Sequence, residues 1–451
     1  MIFSWAEHQF DVPSDKIYRL PRRVVEVVRY GFRLMIAVDS GNWIVLENDI
    51  QKNIFDELNG GLAVSEVLSR HSDHVEDVHY VVAKLEGRHF EFEYIPEDYE
   101  RNFSLRIYLT NNCNLRCRHC FMYADKSFEN ELTPNEIREL ILNCQHNGAE
   151  KLILTGGEVL MAPSFKIAIE TAKSVGMHTQ ILSNGTLWTE RLIEECSPFI
   201  DEIQISIDGF DEQSNSEIRG KGTFEKSLAA VDSFIERGVF TSIVMTPLYD
   251  HVEKFYDEYL RFGRALVDKY PSDKFLLLFT NELLDGRQIK SVRDKNARYK
   301  KTIAALANEI YANNELTAFT LDHQYNKIFR NCGYGNLTVD SVGDFYFCGR
   351  VFDVRKYGNI RSTPFEEVMR LRRRARALSQ IDNVSGCADC ELKYICGGGC
   401  RISNFPSLVE ISDLDNYTPE TMSARTCDRE HKEKLYALMI NADDFLMWQQ
   451  R

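Results

Sequence analysis

Cys113, Cys117 and Cys120 follow a strand-like run, Leu105 to Thr110, and a polar pair, Asn111-Asn112. Three thiolates spaced C-x3-C-x2-C on one loop can hold three irons of a cubane 4Fe–4S cluster, leaving the fourth iron open to a group that is not protein. A zinc site normally wants four ligands in short-spaced pairs, and the fourth is missing here. A disulfide would suit a secreted chain better. Seven more cysteines lie beyond residue 330: Cys332, Cys348, Cys387, Cys390, Cys396, Cys400 and Cys427. Their layout is C-x10-G-x4-C (the glycine is Gly343), a long gap, C-x2-C-x5-C-x3-C and a distant last cysteine. A zinc ribbon would use four of them at most. Cys144 and Cys196 instead fall in apolar helical stripes, with Ile137, Leu140 and Ile141, and with Leu192, Ile193 and Phe199, and read as small core hydrophobes.

Six β-prone runs precede that second group: Leu105–Thr110, Lys151–Thr155, Thr179–Ser183, Glu202–Ile207, Thr241–Met245 and Phe275–Phe279. Helix-like stretches separate them, among them Pro134–Asn143, Phe165–Val175, Thr189–Cys196 and Phe224–Arg237. Successive βα units predict a parallel sheet with right-handed crossovers and chemistry at the carboxyl ends of its strands. The motifs fall at those ends. Thr155-Gly156-Gly157-Glu158 closes the second strand, Ser183-Asn184-Gly185 the third and Ser206-Ile207-Asp208-Gly209 the fourth, with Arg219-Gly220-Lys221-Gly222 soon after. Paired glycines let backbone approach a ligand without Cβ obstruction.

Taken in this order, the cysteine loop and the strand-end motifs resemble the radical S-adenosylmethionine (radical SAM) enzymes. The resemblance implies an α/β chain whose residues 99–285 form an open, partial (β/α)6 TIM-like barrel. It implies a 4Fe–4S cluster on Cys113, Cys117 and Cys120, whose open iron chelates the amino and carboxylate groups of SAM. The stretch Gly156, Gly157 and Glu158 would take the SAM ammonium group, and Ser183 and Asn184 suit the ribose or the substrate. Ser206 and Asp208 would bond ribose or carboxylate, and Arg219 would pair with the SAM carboxylate.

The later cysteines resemble the SPASM domain of the same enzymes, expected over residues 331–451 behind a polar bridge at 286–330. Carried over by position, Cys387, Cys390, Cys396 and Cys427 would hold an outer auxiliary cluster, and Cys332, Cys348 and Cys400 an inner one. That makes three 4Fe–4S clusters. The 26 residues between Cys400 and Cys427 suggest an inserted loop. Relatives with a fully protein-ligated inner cluster use a further cysteine shortly before the one matching Cys332, and Thr320–Lys327 contains none. An open inner iron is therefore expected, unless His323 or a water fills it, and a thiolate is its natural soft ligand.

The first 98 residues read differently. Arg33–Val38 and Trp43–Leu46 predict two strands turned at Asp39-Ser40-Gly41-Asn42. Asp49 could cap a helix carrying Ile50, Ile54, Phe55 and Leu58; a second offers Val64, Val67 and Leu68, and a third runs from Val75 to Gly87. Phe90-Glu91-Phe92 reads as a strand-like return and Pro96-Glu97-Asp98 as a linker. This winged-helix-like unit resembles the leader-recognition domain of maturases for ribosomally made peptides. There, a leader adds as a strand to the sheet edge and packs on the third helix. A dimerisation or structural cap, or a winged helix that once bound DNA, are the plainer readings.

The chain has 451 residues, 44% apolar and 27% charged, enough for several buried cores. A net charge of −14 argues against a nucleic-acid partner. No signal peptide or apolar run of membrane-spanning length is visible, and twelve cysteines without one point to a reducing, cytoplasmic setting and metal ligation. The resemblance implies an oxidoreductase that cleaves SAM reductively, with an external one-electron donor of flavodoxin or ferredoxin type. It would cross-link a ribosomally synthesised precursor peptide, its leader read by the front domain, through a thioether or C–C bond. A formylglycine-generating maturase places an acid directly after the cysteine matching Cys348, where this chain has Gly349. A multi-cluster electron carrier would need no adenosyl pocket. No side chain is singled out for the substrate proton.

Overall fold

The computed structural model describes residues 1–5, 8–91, 102–311, 330–351, 354–404, 414–415, 427 and 429–446. Phe92, the Pro96-Glu97-Asp98 stretch and Thr320–Lys327 with His323 lie outside these residues.

At the front, β1 (Ile2–Trp5) and β2 (His8–Asp11) form an antiparallel hairpin that sequence periodicity did not announce. Next, β3 (Val24–Arg29), β4 (Phe32–Ala37) and β5 (Asn42–Leu46) form an antiparallel meander. The β3–β4 turn is Tyr30-Gly31, both at positive φ (54° and 86°), the geometry that lets two residues reverse a twisted pair. Helices α1 (Asp49–Asn59), α2 (Val64–Arg70) and α3 (Val75–Gly87) follow. The α1 cap is Asn48, whose side chain accepts the Gln51 amide, rather than Asp49. Phe90 is buried but belongs to no strand. One face of the meander covers the helices: Met35, Ala37, Ile44 and Leu46 pack with Ile54, Phe55 and Val82.

The other face meets the far end of the chain. Leu34, Ile36, Trp43 and Val45 form one apolar cluster with Leu392, Ile395, Tyr436, Met439 and Ala442. Beside it, Lys84 of α3 and Arg88, which caps that helix, converge on Asp443, all three side chains at most 2% exposed. Lys84 Nζ also donates to Val45 O at 3.0 Å, and the Trp43 amide donates to Asn42 Oδ1 at 2.9 Å. The sheet edge beside α3, β5, is thus buried along its whole length and bonded by side chains. The β3 edge alternates half-buried and exposed residues, with Val28 49% exposed.

Among the described residues, the central sheet has nine strands. Six are parallel neighbours in chain order: β6 (Phe103–Tyr108), β7 (Ala149–Thr155), β8 (His178–Ser183), β9 (Glu202–Ser206), β10 (Phe240–Met245) and β11 (Phe275–Phe279). Helices α4 (Pro134–His146), α5 (Phe165–Ser174), α6 (Glu190–Cys196), α7 (Glu212–Arg219), α8 (Phe224–Glu236), α9 (Tyr249–Lys254) and α10 (Tyr256–Lys269) connect them. Thr133 and Glu136 make a capping box at α4, with Pro134 at its first position. Cys144 and Cys196 are buried on α4 and α6 in the barrel core. The polar stretch after β11, expected as a bridge, instead turns into α11 (Arg293–Ile310), whose Tyr299, Ile303, Leu306 and Ile310 join that core.

The sheet then continues past the barrel. β12 (Leu337–Val339) pairs parallel to β6, and β13 (Asp344–Tyr346) and β14 (Gly358–Asn359) extend it antiparallel. The same core reaches Phe347, Met369, Leu378, Ile381 and Ile402 of the cysteine-rich region.

Candidate active site

β6 delivers the first cysteines, and backbone bonds pin their loop. Cys113 N donates to Asp125 O (3.1 Å) and Asp125 N to Asn111 O (3.0 Å). Glu131, unremarked in the sequence, accepts the Asn111 amide (2.6 Å) and the Thr110 hydroxyl (2.8 Å). After β11 the chain returns across the same loop: Arg287 N donates to Cys120 O (3.2 Å) and Gln288 N to Arg118 O (2.8 Å). Cys113, Cys117 and Cys120 lie near enough for their charges to interact. Burial pushes the Cys113 thiol up to about 11, so at neutral pH it stays protonated unless a metal takes the proton's place.

Gly156 and Gly157 run against this loop. Gly157 N donates to Thr110 O and Glu158 N to Asn112 O, both at 2.8 Å. A Cβ on Gly156 (φ +143°) would sit 2.6 Å from Thr110 O, and one on Gly157 2.8 Å from Asn111 O and closer still to Asn112 O. No other residue fits this approach. Glu158 is 1% exposed, and burial raises its carboxyl. It accepts the Ser183 hydroxyl at 2.6 Å and the Asn184 amide at 2.8 Å, bracketing the ends of β7 and β8. Asn184 Nδ2 reaches Asn114 Oδ1 in the cysteine loop at 2.9 Å.

Ser206 ends β9, half-buried. Asp208 is fully buried and spent on the protein itself: Oδ1 accepts the Thr246 amide (2.6 Å), and Oδ2 meets His119 Nε2 (2.7 Å) and Arg219 Nε (2.5 Å). Burial would raise this carboxyl, but Arg219 and His119 outweigh it and hold it at about 2. Arg219 Nη1 in turn lies 3.9 Å from Cys117 Sγ. Asp208 therefore aims Arg219 and His119 at the loop rather than offering itself to a ligand. Among the described residues, His119 Nδ1 is buried without a hydrogen-bond partner. Only its place before Cys120 could have flagged it.

The remaining cysteines separate into two interacting groups. Cys348 interacts with Cys332 and Cys400. Cys387 interacts with Cys390, Cys396 and Cys427. Gly397, at φ 63°, ends the short helix Lys393–Cys396 between two of these ligand candidates. None of the twelve cysteines is in a disulfide. Gly349 follows Cys348 with its carbonyl held by Tyr108 Oη (2.6 Å), and a Cβ there would lie 2.9 Å from the Arg106 guanidinium. Among the described residues, no helix is long and apolar enough to cross a membrane.

Residues 107–263 match the radical SAM superfamily. An AdoMet-dependent heme synthase of Methanosarcina barkeri (strain Fusaro / DSM 804) is 27% identical over 336 residues, 68% of this chain and 94% of that one. The mycofactocin maturase MftC of Mycolicibacterium smegmatis (strain ATCC 700084 / mc(2)155) is 24% identical over 358 residues, 74% of this chain and 88% of that one. Among solved structures, Streptococcus suis SuiB bound to precursor peptide SuiA is similar in fold, with a TM-score of 0.50 and 16% identity, covering 91% of this chain and 99% of that one. The cysteine loop, glycine pair and strand ends thus lie in a stretch, residues 107–263, that is similar to the radical SAM superfamily.

Proposed function

We propose that the chain is a radical SAM peptide maturase with three 4Fe–4S clusters that cross-links a ribosomally made precursor. What supports this reading is proximity among the C-terminal thiols: Cys348 lies near enough to Cys332 and Cys400, and Cys387 to Cys390, Cys396 and Cys427, for their charges to interact. Closing a link on a substrate radical releases an electron, and these groups suit centres that could receive it. The similarity to a peptide maturase over 74% of the chain supports the substrate class.

Bound SAM and its cluster would supply a 5′-deoxyadenosyl radical able to take hydrogen from an unactivated carbon. This chain's residues do the rest. Cys113, Cys117 and Cys120 would ligate the cluster, and the Gly156-Gly157 backbone would receive the SAM ammonium. Ser206 and Arg219 are the side chains proposed to meet the ribose and carboxylate, with Asp208 fixing Arg219. The Glu158–Ser183–Asn184 bracket keeps two strand ends in register. The inner group offers three thiols, which leaves a place for a substrate thiolate and favours a thioether. A leader would add at the open β3 edge. Formylglycine chemistry is disfavoured, since Gly349 stands where its acid would be.

A second reading, a tetrapyrrole substrate, rests on the heme synthase similarity, which leaves about a third of this chain unaligned. Reduced protein, SAM and a precursor peptide decide between them. The expected result is 5′-deoxyadenosine together with a peptide lighter by one pair of hydrogens per link, lost when core cysteines become serine. An unchanged peptide with tetrapyrrole consumed would overturn the proposal; modification that survives the serine replacements would remove the thioether.

A further inference from the structure

Between the two C-terminal thiol groups lies Arg401, fully buried. Its guanidinium donates to backbone carbonyls: Nε to Ser379 O (2.7 Å), Nη1 to Gly397 O (2.8 Å) and Gly399 O (2.9 Å), and Nη2 to Arg330 O (3.3 Å). Its own amide donates to Cys332 Sγ at 3.3 Å. A Cβ on Gly398 would stand 2.9 Å from Nη1, so the glycine run is what lets the loop wrap this side chain. The charge interacts with Cys332 and Cys400 of one group and with Cys387 and Cys396 of the other.

Burying a cation is costly unless its surroundings offset it, and carbonyl dipoles do so only in part. Thiolates holding a cluster on each side would supply the opposite charge. Cluster potentials depend on net charge, on hydrogen bonds to sulfur and on exposure. We propose that Arg401 is a positioning residue shared by both C-terminal clusters, a single fixed positive charge that raises their reduction potentials together. A nearby cation favours the reduced, more negative state of each centre. One charge placed between two centres moves both, which keeps them matched for electron passage. The inference rests on the two-auxiliary-cluster reading above.

The test is an anaerobic redox titration of the reconstituted full-length protein, followed by electron paramagnetic resonance. Arg401→Gln removes the charge but keeps amide donors; Arg401→Lys keeps the charge but loses the fork. With iron content unchanged, Arg401→Gln should lower the reduced-to-oxidised ratio of both C-terminal clusters at least tenfold at fixed potential, about 59 mV for one electron. The SAM-site cluster should hold its parental value, and Arg401→Lys should recover most of the shift. A change in neither cluster, or in one alone, overturns the proposal, as does a lysine variant that falls as far as glutamine. If Arg401→Gln loses C-terminal iron, the lysine variant decides: parental potentials in both clusters support a charge effect, and a tenfold drop in either refutes it. A parental protein holding only about four irons would instead refute the two-cluster reading itself.

Discussion

Asp443 is the place to test how the two ends of the chain hold together. Its carboxylate is 2% exposed and is met by Lys84 (1%) and Arg88 (0%), with Arg88 Nη2 also donating to Asp443 O at 2.7 Å. Asp443→Asn keeps the shape and leaves two cations buried beside each other. Removing one partner from a buried pair costs about 3–5 kcal/mol, roughly two to three and a half powers of ten in an equilibrium at 1.36 kcal/mol each. The loss should fall on the contact between α3 and the helix Arg429–Leu446, not on the barrel, whose core is separate from that contact. Hydrogen exchange measures this directly. Amides of α3 and Arg429–Leu446 should exchange about 10²-fold faster or more, while those of β6–β11 keep parental rates. Replacing all three residues by apolar ones (Lys84→Met, Arg88→Met, Asp443→Leu) should recover most of the loss, less about 1 kcal/mol for the bond to Val45 O. Unchanged exchange in Asp443→Asn, or acceleration spread evenly through the barrel, would refute the reasoning. The same contact makes deletion of residues 1–95 a poor test of leader reading, because it uncovers Leu392, Ile395 and Met439.

Three further outcomes follow from the site. Gly157→Ala should push the Asn111 and Asn112 carbonyls, and the cysteine loop they lead into, off the glycine pair and cut 5′-deoxyadenosine formation about 10²-fold, measured by chromatography at unchanged iron content. Asp208→Asn should release Arg219 and His119 and weaken SAM binding in equilibrium dialysis. Because the Asp208 carboxyl is held at about 2, below its unfolded value, its contribution to stability is full above that unfolded value and fades as pH falls toward 2; acid titration of the asparagine variant should lack this component. Anaerobic reconstitution should load about twelve irons, and joint replacement of Cys113, Cys117 and Cys120 by alanine should remove about four and all SAM cleavage.

The six barrel strands were legible because each is a short apolar run closed by a polar or glycine turn, and their observed ends differ from expectation by at most two residues. What pairs across long separations was not. β12 is only Leu337-Thr338-Val339, and nothing local marks it as a neighbour of β6. α11 opens with Arg293-Asp294-Lys295-Asn296, a polar first turn that hid the apolar stripe behind it. Asp208 sits where a ligand contact was expected, yet its partners His119 and Arg219 come from other segments and turn it inward. The β5 edge was closed by Lys84, a residue whose burial depends on a helix more than three hundred positions away.

The continuous sheet has a consequence for how the protein can be divided. β6 carries the first cysteine loop and is flanked by β7 on one side and β12 on the other. Cut away the chain beyond α11, and β6 becomes an edge strand: six residues, four of them buried, with one row of backbone donors and acceptors unmet. Such an edge is a template for adhesion between copies. The cysteine-rich region thus doubles as the solubility guard of the barrel, and a shortened chain would be expected to precipitate for want of a neighbour strand, whatever its metal content.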